Sequence, residues 1–419
     1  MGASQSTGSE PLGDEAKKAF DHPDGVEIAR SNKYPPTALC KYSVLRQDDP
    51  DKERVQAMLR DGFESKREDR AVGCFLSCAI GDSLGAPLEF SAVRYNSSEL
   101  KGLEQKEIWD LDGYNRFRLK PGQWTDDCSM ALCIADSLLV HQQLDCWDIR
   151  LRFLNWWTLG YCNAFGCDPE FPDGRQSVGL GGNISESMSE FIRSKVCGGH
   201  TKAGDKFTSG NGSLMRLAPV PIYFASDLDA AMNAARQSSL TTHQGEEAAE
   251  CCRLMAYVIV NAINSENDDP LSVLAALPGD FTSPLYSVTC LANSVAEKPH
   301  KENQSLDLAD RNWNWRQARY EYAPGRARKQ PGYIGSYAMD ALCMALHCAW
   351  TTRSACECML KAANMRGDAD TVADIAGQIA GAMYGARSLP PNWIQIVQQW
   401  DNKGDIATKA YKLLHHKSL

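Results

Sequence analysis

The sequence predicts an all-α protein, and three observations support this fold class. The chain has 419 residues, of which 43% are hydrophobic and 23% are charged, so it can bury a large core. From about residue 66 to residue 388, long segments rich in Ala, Cys, Gly and Leu carry apolar residues at helical spacing. Alternating runs of β-branched residues, which would indicate strands, are almost absent. We therefore predict one compact single domain built from helices.

The apolar periodicity places the main helices as follows. In chain order they cover residues 71–84, 129–143, 148–159, 227–239, 244–263, 337–351 and 373–386. In the last of these, Gly377, Gly381 and Gly385 recur every four positions. Glycines at this spacing lie on one side of a helix and let a neighbouring helix approach closely. We interpret them as packing residues.

Composition divides the chain into three parts. Residues 1–65 form a polar N-terminal tail and linker. Within it, the stretch from residue 4 to about residue 50 is rich in Gly, Pro, Asp and Ser, and we predict it to be mobile. We predict that residues 66–390 form the main helical domain, with a polar surface insertion at about 297–330, and that residues 391–419 form a C-terminal helical extension packed on it. The tail opens with MGASQS, in which Gly2 matches an N-myristoylation signal. A single acyl chain would give only a weak membrane contact.

Charge and cysteine content exclude several classes of protein. The net charge of −9 and the pI near 5.5 argue against a nucleic-acid-binding protein, which needs a basic face. No apolar stretch reaches the roughly 18 residues that a transmembrane helix requires. The 16 cysteines lack a Cys-x2-Cys pair, and no signal peptide opens the chain, so we expect reduced thiols and a cytoplasmic location. We also expect a monomer.

Two short acidic clusters are the candidates for chemistry. The first is Thr125, Asp126 and Asp127, and the second is Asp368, Asp370 and Thr371. Each lies at the start of a predicted helix, where a single Thr or Asp would serve as an N-cap. Each cluster, however, supplies three oxygen-bearing side chains, which is more than a cap needs. Four carboxylates brought together would require a cation, and oxygen ligands without histidine favour Mg²⁺ or Mn²⁺ over zinc.

Five motifs in order resemble the ADP-ribosylglycohydrolase family. They are GDSLGAPLEF at 81–90, TDD at 125–127, NGSLMRLAP at 211–219, TH at 242–243 and GDADT at 367–371. The resemblance covers about residues 70 to 387 and implies an orthogonal helical bundle that removes ADP-ribose from modified protein side chains. The departures are Cys128 and Ala369, where the family commonly has Thr. Neither residue is a carboxylate ligand, so metal binding should survive.

The resemblance also implies a site. Two Mg²⁺ ions, with Mn²⁺ as the substitute, would be held by Thr125, Asp126, Asp127, Asp368, Asp370 and Thr371. Glu89 takes the position of a catalytic or metal-gating glutamate, and Asp126 and Asp127 share ligand and general-base duties that the sequence does not separate. Asp82 is interpreted as a residue that caps or orients the loop. The arginine N-glycoside is the favoured linkage, with the serine O-glycoside and small ADP-ribose esters left open.

Three segments are candidates for substrate binding. A glycine-rich loop could hold a pyrophosphate with its backbone N–H groups, although a plain turn explains it nearly as well. The central loop and His243 are assigned to the substrate by the resemblance, and Tyr333 is either an adenine-stacking or a structural tyrosine. The candidate residues are Gly179, Gly181, Gly182, Ser209, Gly210, Asn211, Gly212, Ser213, His243 and Tyr333.

Two other functions remain open from the sequence. One is a catalytically silent relative that binds ADP-ribose or serves a structural role. The other is a different metal-dependent hydrolase acting on a phosphate ester, because residues 368–371 partly match a phosphatase nucleophile motif. In that motif the Thr stands one position further from the second Asp, and a buried strand precedes it. Here Thr371 directly follows Asp370, which counts against the phosphatase.

Overall fold

The fold is all-helical, as the sequence predicts. The computed structural model describes residues 44–46, 48–171, 175–193, 198–321 and 335–416, and within these it contains 16 α-helices and no strand. The helices are α1 (Pro50–Asp61), α2 (Lys66–Gly85), α3 (Glu107–Asp110), α4 (Asp126–His141), α5 (Cys146–Leu159), α6 (Gly182–Arg193), α7 (Pro219–Tyr223), α8 (Leu228–Ser239), α9 (Glu246–Asn264), α10 (Ser272–Asp280), α11 (Tyr286–Ala292), α12 (Ala338–Thr351), α13 (Ala355–Met365), α14 (Ala369–Tyr384), α15 (Pro391–Gln398) and α16 (Asp405–His415).

All seven predicted helices are confirmed, but several begin earlier than expected. Helix α2 begins at Lys66 because Ser65 and Glu68 form a reciprocal capping box ahead of the apolar segment. Helices α4 and α14 begin three or four residues before the predicted starts, at Asp126 and Ala369. A helix's first turn is often polar, so apolar periodicity detects the helix only after that turn.

Helices α2 and α14 pack against each other in antiparallel fashion at backbone-to-backbone distance. A Cβ atom added at Gly81 would lie 2.3 Å from the carbonyl oxygen of Ala373, and one added at Gly377 would lie 2.3 Å from that of Ser77. One added at Gly381 would lie 2.2 Å from the carbonyl oxygen of Gly73. The predicted packing role of Gly377 and Gly381 is therefore confirmed.

Helix α2 is the centre of the core. Together with the short 3-10 turn that follows it, the segment Lys66–Leu88 is long and apolar enough to cross a membrane by length and composition. Its apolar window is completely buried inside the fold. Contacts with α14, α13, α9 and α16 account for this burial, so its hydropathy is that of a core helix.

Part of the segment assigned to the N-terminal tail is helical. Residues 50–61 form α1, which is capped by Asp49 and buries Val55 and Met58. Lys52 of this helix forms a buried ion pair with Asp405 of α16 at 2.5 Å. The sequence analysis assigned no helix to this linker, because a short helix with few apolar residues gives a weak periodic signal. Residues 1–43, including Gly2, lie outside the described residues.

The polar insertion is partly buried, which corrects the expectation of a surface segment. Trp313 and Trp315 have no exposed surface, and Glu297 is 5% exposed. The indole N–H of Trp313 donates to the Glu297 carboxylate, and that of Trp315 donates to the carbonyl of Leu291. The charged residues of this segment thus surround aromatic anchors. Residues 322–334, which include Tyr333, lie outside the described residues.

The C-terminal helices pack on the main body. Helix α16 contacts α2, α4 and α7, and its Lys409 forms a fully buried ion pair with Asp136 of α4 at 2.7 Å. The boundary placed at residue 390 and the division into three parts stay predictions.

Gly81→Ala should destabilise the fold, because the new methyl group would push the α2 and α14 backbones apart. Overpacking of this kind costs about 1–3 kcal/mol. Thermal unfolding measures the effect, and Gly182→Ala is the matched control, since a Cβ at Gly182 meets nothing within 4 Å. Equal melting temperatures for the two variants would contradict the close α2–α14 contact.

Candidate active site and metal centre

The α2–α14 contact brings acidic side chains from three helices to one place. Because the two helices are antiparallel, the C-terminal end of α2 meets the N-terminal end of α14, where Gly85 packs on Ala369. The N-terminus of α4 joins them. Two backbone hydrogen bonds to Gly367 fix residues 89–91. The N–H of Phe90 donates to the carbonyl of Gly367 at 3.0 Å, and the N–H of Gly367 donates to the carbonyl of Ser91 at 3.0 Å.

The carboxylates form two sets that share one member. Oxygen atoms of Asp82, Asp127 and Asp370 lie within 4.8 Å of one another, and so do oxygen atoms of Glu89, Asp368 and Asp370. All five residues are buried. Asp370 therefore stands between two neighbouring groups of oxygen ligands, each of a size suited to one cation.

Burial and mutual repulsion raise the pKa of these carboxylates. For Glu89 the largest cause is burial, followed by the negative charges of Asp370 and Asp368, and its pKa lies well above the usual value. The pKa of Asp82 is raised by burial to about 7. Oε2 of Glu89 and Oδ2 of Asp127 are buried without a hydrogen-bond partner. Unpartnered buried oxygens are costly, and a bound cation would satisfy them.

Helix capping does not account for the two acidic clusters. Thr125 and Asp368 occupy the N-cap positions of α4 and α14, but neither side chain caps its own helix. Asp82 of α2 caps α4 instead, since its carboxylate accepts hydrogen bonds from the N–H groups of Thr125 at 2.9 Å and Cys128 at 3.0 Å. The Thr125 hydroxyl also donates to Asp82 at 3.0 Å, which leaves its oxygen lone pairs available to a metal.

The acidic floor opens into a deep cleft of about 670 Å³. Five of the predicted catalytic and metal residues line it, namely Glu89, Asp126, Asp368, Asp370 and Thr371. Thr125 and Asp127 are each 1% exposed and lie outside the lining. A cleft of this size fits a ligand of nucleotide-sugar dimensions.

The glycine-rich loop closes against Asp126. Gly179 has φ of +92°, and a Cβ there would lie 1.9 Å from Oδ1 of Asp126, so no other residue fits without a shift. Gly179, Gly181 and Gly182 all line the cleft. Helix α6 begins at Gly182, so its first N–H groups, which have no acceptor within the helix, lie at the cleft.

The central loop has both lining and supporting residues. Ser209, Gly210, Asn211 and Gly212 line the cleft, and the Asn211 amide donates to Oδ2 of Asp368 at 2.7 Å. Asn211 therefore orients a candidate metal ligand. Ser213 is not among the lining residues, and its buried hydroxyl accepts a hydrogen bond from Ser239 at 2.9 Å. Its assignment as a substrate contact stays a prediction.

A buried chain of hydrogen bonds fixes the proton position on His243. Arg216 donates to the Thr242 hydroxyl at 2.6 Å, and this hydroxyl lies 2.7 Å from Nδ1 of His243. Because the hydroxyl already accepts from a guanidinium, its own proton is available for Nδ1, and this arrangement favours the neutral tautomer with the ring proton on Nε2. Burial and then the Arg216 charge lower the pKa of His243 to about 3. His243 thus presents a neutral ring with an Nε2–H donor at the cleft wall.

Several cleft residues were not selected from the sequence. Phe90, Phe117, Phe207 and Tyr337 line the cleft, and Phe207 is 78% exposed. Phe207 could have been selected from the sequence, because it is an isolated aromatic residue in the polar loop 202–210. Asp82 was interpreted as a capping residue, which is confirmed, but its place within one carboxylate set required the tertiary structure. Tyr333, the aromatic residue selected instead, lies outside the described part of the chain.

The fold and the cleft define an all-helical protein with an acidic, metal-type centre at the base of a ligand-sized cleft. The sequence profile of the ADP-ribosylglycohydrolase family matches residues 64–418, so the chain belongs to this family. The resemblance found in the motifs is confirmed.

Relatives of known name agree with this assignment. The chain is 30% identical over 329 residues to ADP-ribosylarginine hydrolase Tri1 of Pseudomonas putida, with 78% of this chain and 74% of that protein covered. It is 26% identical to ADP-ribosyl-[dinitrogen reductase] glycohydrolase of Rhodospirillum rubrum, with 78% and 89% covered. A solved structure titled ADP-ribosylglycohydrolase-related protein complex matches with a TM-score of 0.59 and 26% identity, covering 83% of this chain and 99% of that one.

Labelled histidine offers a direct test of the His243 tautomer. Between roughly pH 5 and pH 8 the ¹⁵N shifts of His243 should report an unprotonated Nδ1 and a protonated Nε2, because its pKa of about 3 lies below this window. Thr242→Val removes the hydroxyl and should produce a mixture of tautomers. The signal is assigned by its loss in His243→Gln, and a protonated Nδ1 in the wild-type protein would refute the hydrogen-bond chain.

Proposed function

We propose that this protein is a magnesium-dependent hydrolase that removes ADP-ribose from modified protein side chains. The observation that carries the proposal is the pair of carboxylate sets sharing Asp370 at the floor of a 670 Å³ cleft. An oxygen-only ligand set selects a hard cation such as Mg²⁺. The unpartnered oxygens of Glu89 and Asp127 support the fit of these residues to a cation.

The residues that would hold two ions are Thr125, Asp126, Asp127, Asp368, Asp370 and Thr371. Asp370 would contribute to holding both ions, because it belongs to both carboxylate sets. Bound Mg²⁺ supplies the chemistry of orienting sugar hydroxyls and lowering the pKa of a water molecule. Asn211 keeps the Asp368 carboxylate in place, and Asp82 holds the Thr125 hydroxyl so that its lone pairs face a ligand.

Side chains around the cleft would then bind and activate the substrate. The N–H groups of the loop at Gly179–Gly182 and the N-terminus of α6 suit a pyrophosphate. Nε2–H of His243 would donate to a substrate oxygen. Glu89 lines the cleft, and its raised pKa suits a group that holds and transfers a proton at Oε2 during cleavage at an anomeric carbon.

The arginine N-glycoside is the favoured linkage. Support comes from the 30% identity to a protein named ADP-ribosylarginine hydrolase. The serine O-glycoside and small ADP-ribose esters are the alternatives. We also propose that the protein is a cytoplasmic monomer with weak membrane contact through an acylated Gly2.

The proposal predicts metal-dependent release of ADP-ribose. Arginine and serine peptides carrying ADP-ribose are incubated with the protein in Mg²⁺, in Mn²⁺ and in excess EDTA. We expect release from the arginine peptide in either metal and none in EDTA, because the buried carboxylates need a cation to orient the sugar. Binding without release would identify a catalytically silent relative. Release of phosphate alone would identify a phosphate-ester hydrolase.

Asp370→Asn separates a bridging ligand from a residue that only stabilises helix α14. Asparagine preserves a helix-terminal hydrogen bond, so a structural role predicts little change in turnover or melting temperature. A bridging role predicts loss of turnover by orders of magnitude and loss of the metal-dependent rise in melting temperature. Without metal the variant should melt at the same temperature or higher, because carboxylate repulsion is relieved.

The two measurements for Asp370→Asn are turnover at saturating Mg²⁺ and thermal unfolding with and without metal. Asp307→Asn is a suitable control, since Asp307 caps the surface 3-10 turn Leu308–Asp310 through the N–H of Ala309. Wild-type turnover together with a wild-type metal shift in Asp370→Asn would return this residue to a structural role.

A further inference from the structure

Tyr337 joins the substrate loop to the rest of the cleft wall. It is the N-cap residue of α12 and forms an isolated antiparallel bridge with Gly210. Backbone hydrogen bonds lie on either side of this bridge. The N–H of Asn211 donates to the carbonyl of Ser336 at 3.0 Å, and the N–H of Ala338 donates to the carbonyl of Ser209 at 3.0 Å. The Tyr337 side chain lines the cleft. Any movement of Tyr337 would therefore move the loop at residues 209–211.

The Tyr337 hydroxyl is held from behind by Arg311, a residue of the polar insertion. Arg311 donates to this hydroxyl at 3.2 Å, and the hydroxyl also bonds to Glu247 in the first turn of α9. The other nitrogens of Arg311 bond to Glu247 at 2.5 Å and to Glu297 at 2.7 Å. One guanidinium thus connects a cleft residue to two glutamates.

The insertion is built to keep Arg311 in this position. Besides Arg311, the Glu297 carboxylate accepts hydrogen bonds from the Trp313 indole at 2.7 Å and from the Asn303 amide at 2.7 Å. Trp313 is fully buried, and the backbone of Ala296 pairs with that of Asn312. Three donors on one buried carboxylate hold the segment that carries Arg311 in a single arrangement.

We propose that Arg311 is a positioning residue for the substrate. Segment 297–313 is the outer support of the cleft wall, and Arg311 transmits that support to the wall by fixing Tyr337. The moiety that benefits is ADP-ribose, because the loop paired with Tyr337 is the one assigned to ADP-ribose. This inference rests on the proposed function for the identity of the ligand, but not for the contact itself.

The metal centre should not depend on Arg311. The carboxylates of the two sets come from α2, the loop after it, α4 and the start of α14, and Arg311 contacts none of them. Loss of Arg311 should therefore weaken substrate binding and leave metal binding and the chemical step intact. A substrate-positioning role and a purely structural role for Arg311 therefore predict different kinetics for its variants.

Arg316 provides a matched control within the same segment. It stacks over Trp315 at 5.1 Å and donates to the carbonyl of Ala275 at 2.9 Å. It is less deeply buried than Arg311, and none of these contacts reaches a residue of the cleft. Arg316→Met should leave KM unchanged even if it lowers stability.

The test is a double-mutant cycle of Arg311→Met and Tyr337→Phe, with Arg316→Met alongside. KM and kcat for ADP-ribose release, the Kd for free ADP-ribose and the Mg²⁺-dependent shift in melting temperature are measured for each variant. Arg311→Met and Tyr337→Phe should each raise KM and Kd on the order of tenfold, the scale of one lost charge-assisted hydrogen bond. The double variant should be no weaker than Arg311→Met, because both changes break the same link.

Three results would overturn the inference. They are a wild-type Kd in Arg311→Met, an equal rise in Kd for Arg316→Met, and multiplied effects in the double variant. If Arg311→Met fails to fold, Arg311→Lys replaces it, since it keeps the charge and loses the planar fork. A wild-type protein that binds ADP-ribose but releases none from any peptide refutes the proposed function, and the Kd comparison still decides the role of Arg311.

Discussion

The antiparallel contact between α2 and α14 is the constraint on which the site depends. Glycine and serine on one helix face glycine and alanine on the other, so the two backbones touch where side chains would normally separate them. Helices usually pack at 8–10 Å, and small residues at the contact permit the lower end of this range. This approach sets the end of one helix, with Asp82, directly beside the start of the other, with Asp370.

The same arrangement creates an electrostatic problem that a bound cation would solve. Buried carboxylates repel one another and lose their hydration, and both effects raise their pKa. Asp82 contributes to the acidic set and also caps α4 from a different helix. Because this cap comes from outside, the polar residues of the α4 N-terminus remain available to a ligand. The N-terminal ends of α4 and α14 also favour nearby negative charge.

The opposite wall of the cleft is built by different means. It consists of loops whose backbones pair with one another, held by polar side chains such as Asn211 and His243 and supported through Arg311. The floor is thus fixed by helix packing, and the wall by hydrogen bonds that span segments far apart in the chain. A change in the polar insertion can alter the wall without disturbing the carboxylates. This separation would allow substrate choice to vary over a constant metal centre.

The sequence by itself determined seven of the 16 α-helices of the described residues, the acidic clusters and the family, because each depends on residues close together in the chain. Periodicity needs only one turn or two, and Thr125–Asp127 and Asp368–Thr371 are contiguous. Only the tertiary structure decided that Asp82 belongs to a carboxylate set and that Ser213 supports the loop from behind. It also decided that Arg311 reaches a cleft tyrosine. These contacts join residues 26 to 288 positions apart. Tertiary packing brings these residues together, and a local sequence pattern does not show which distant residues will be in contact.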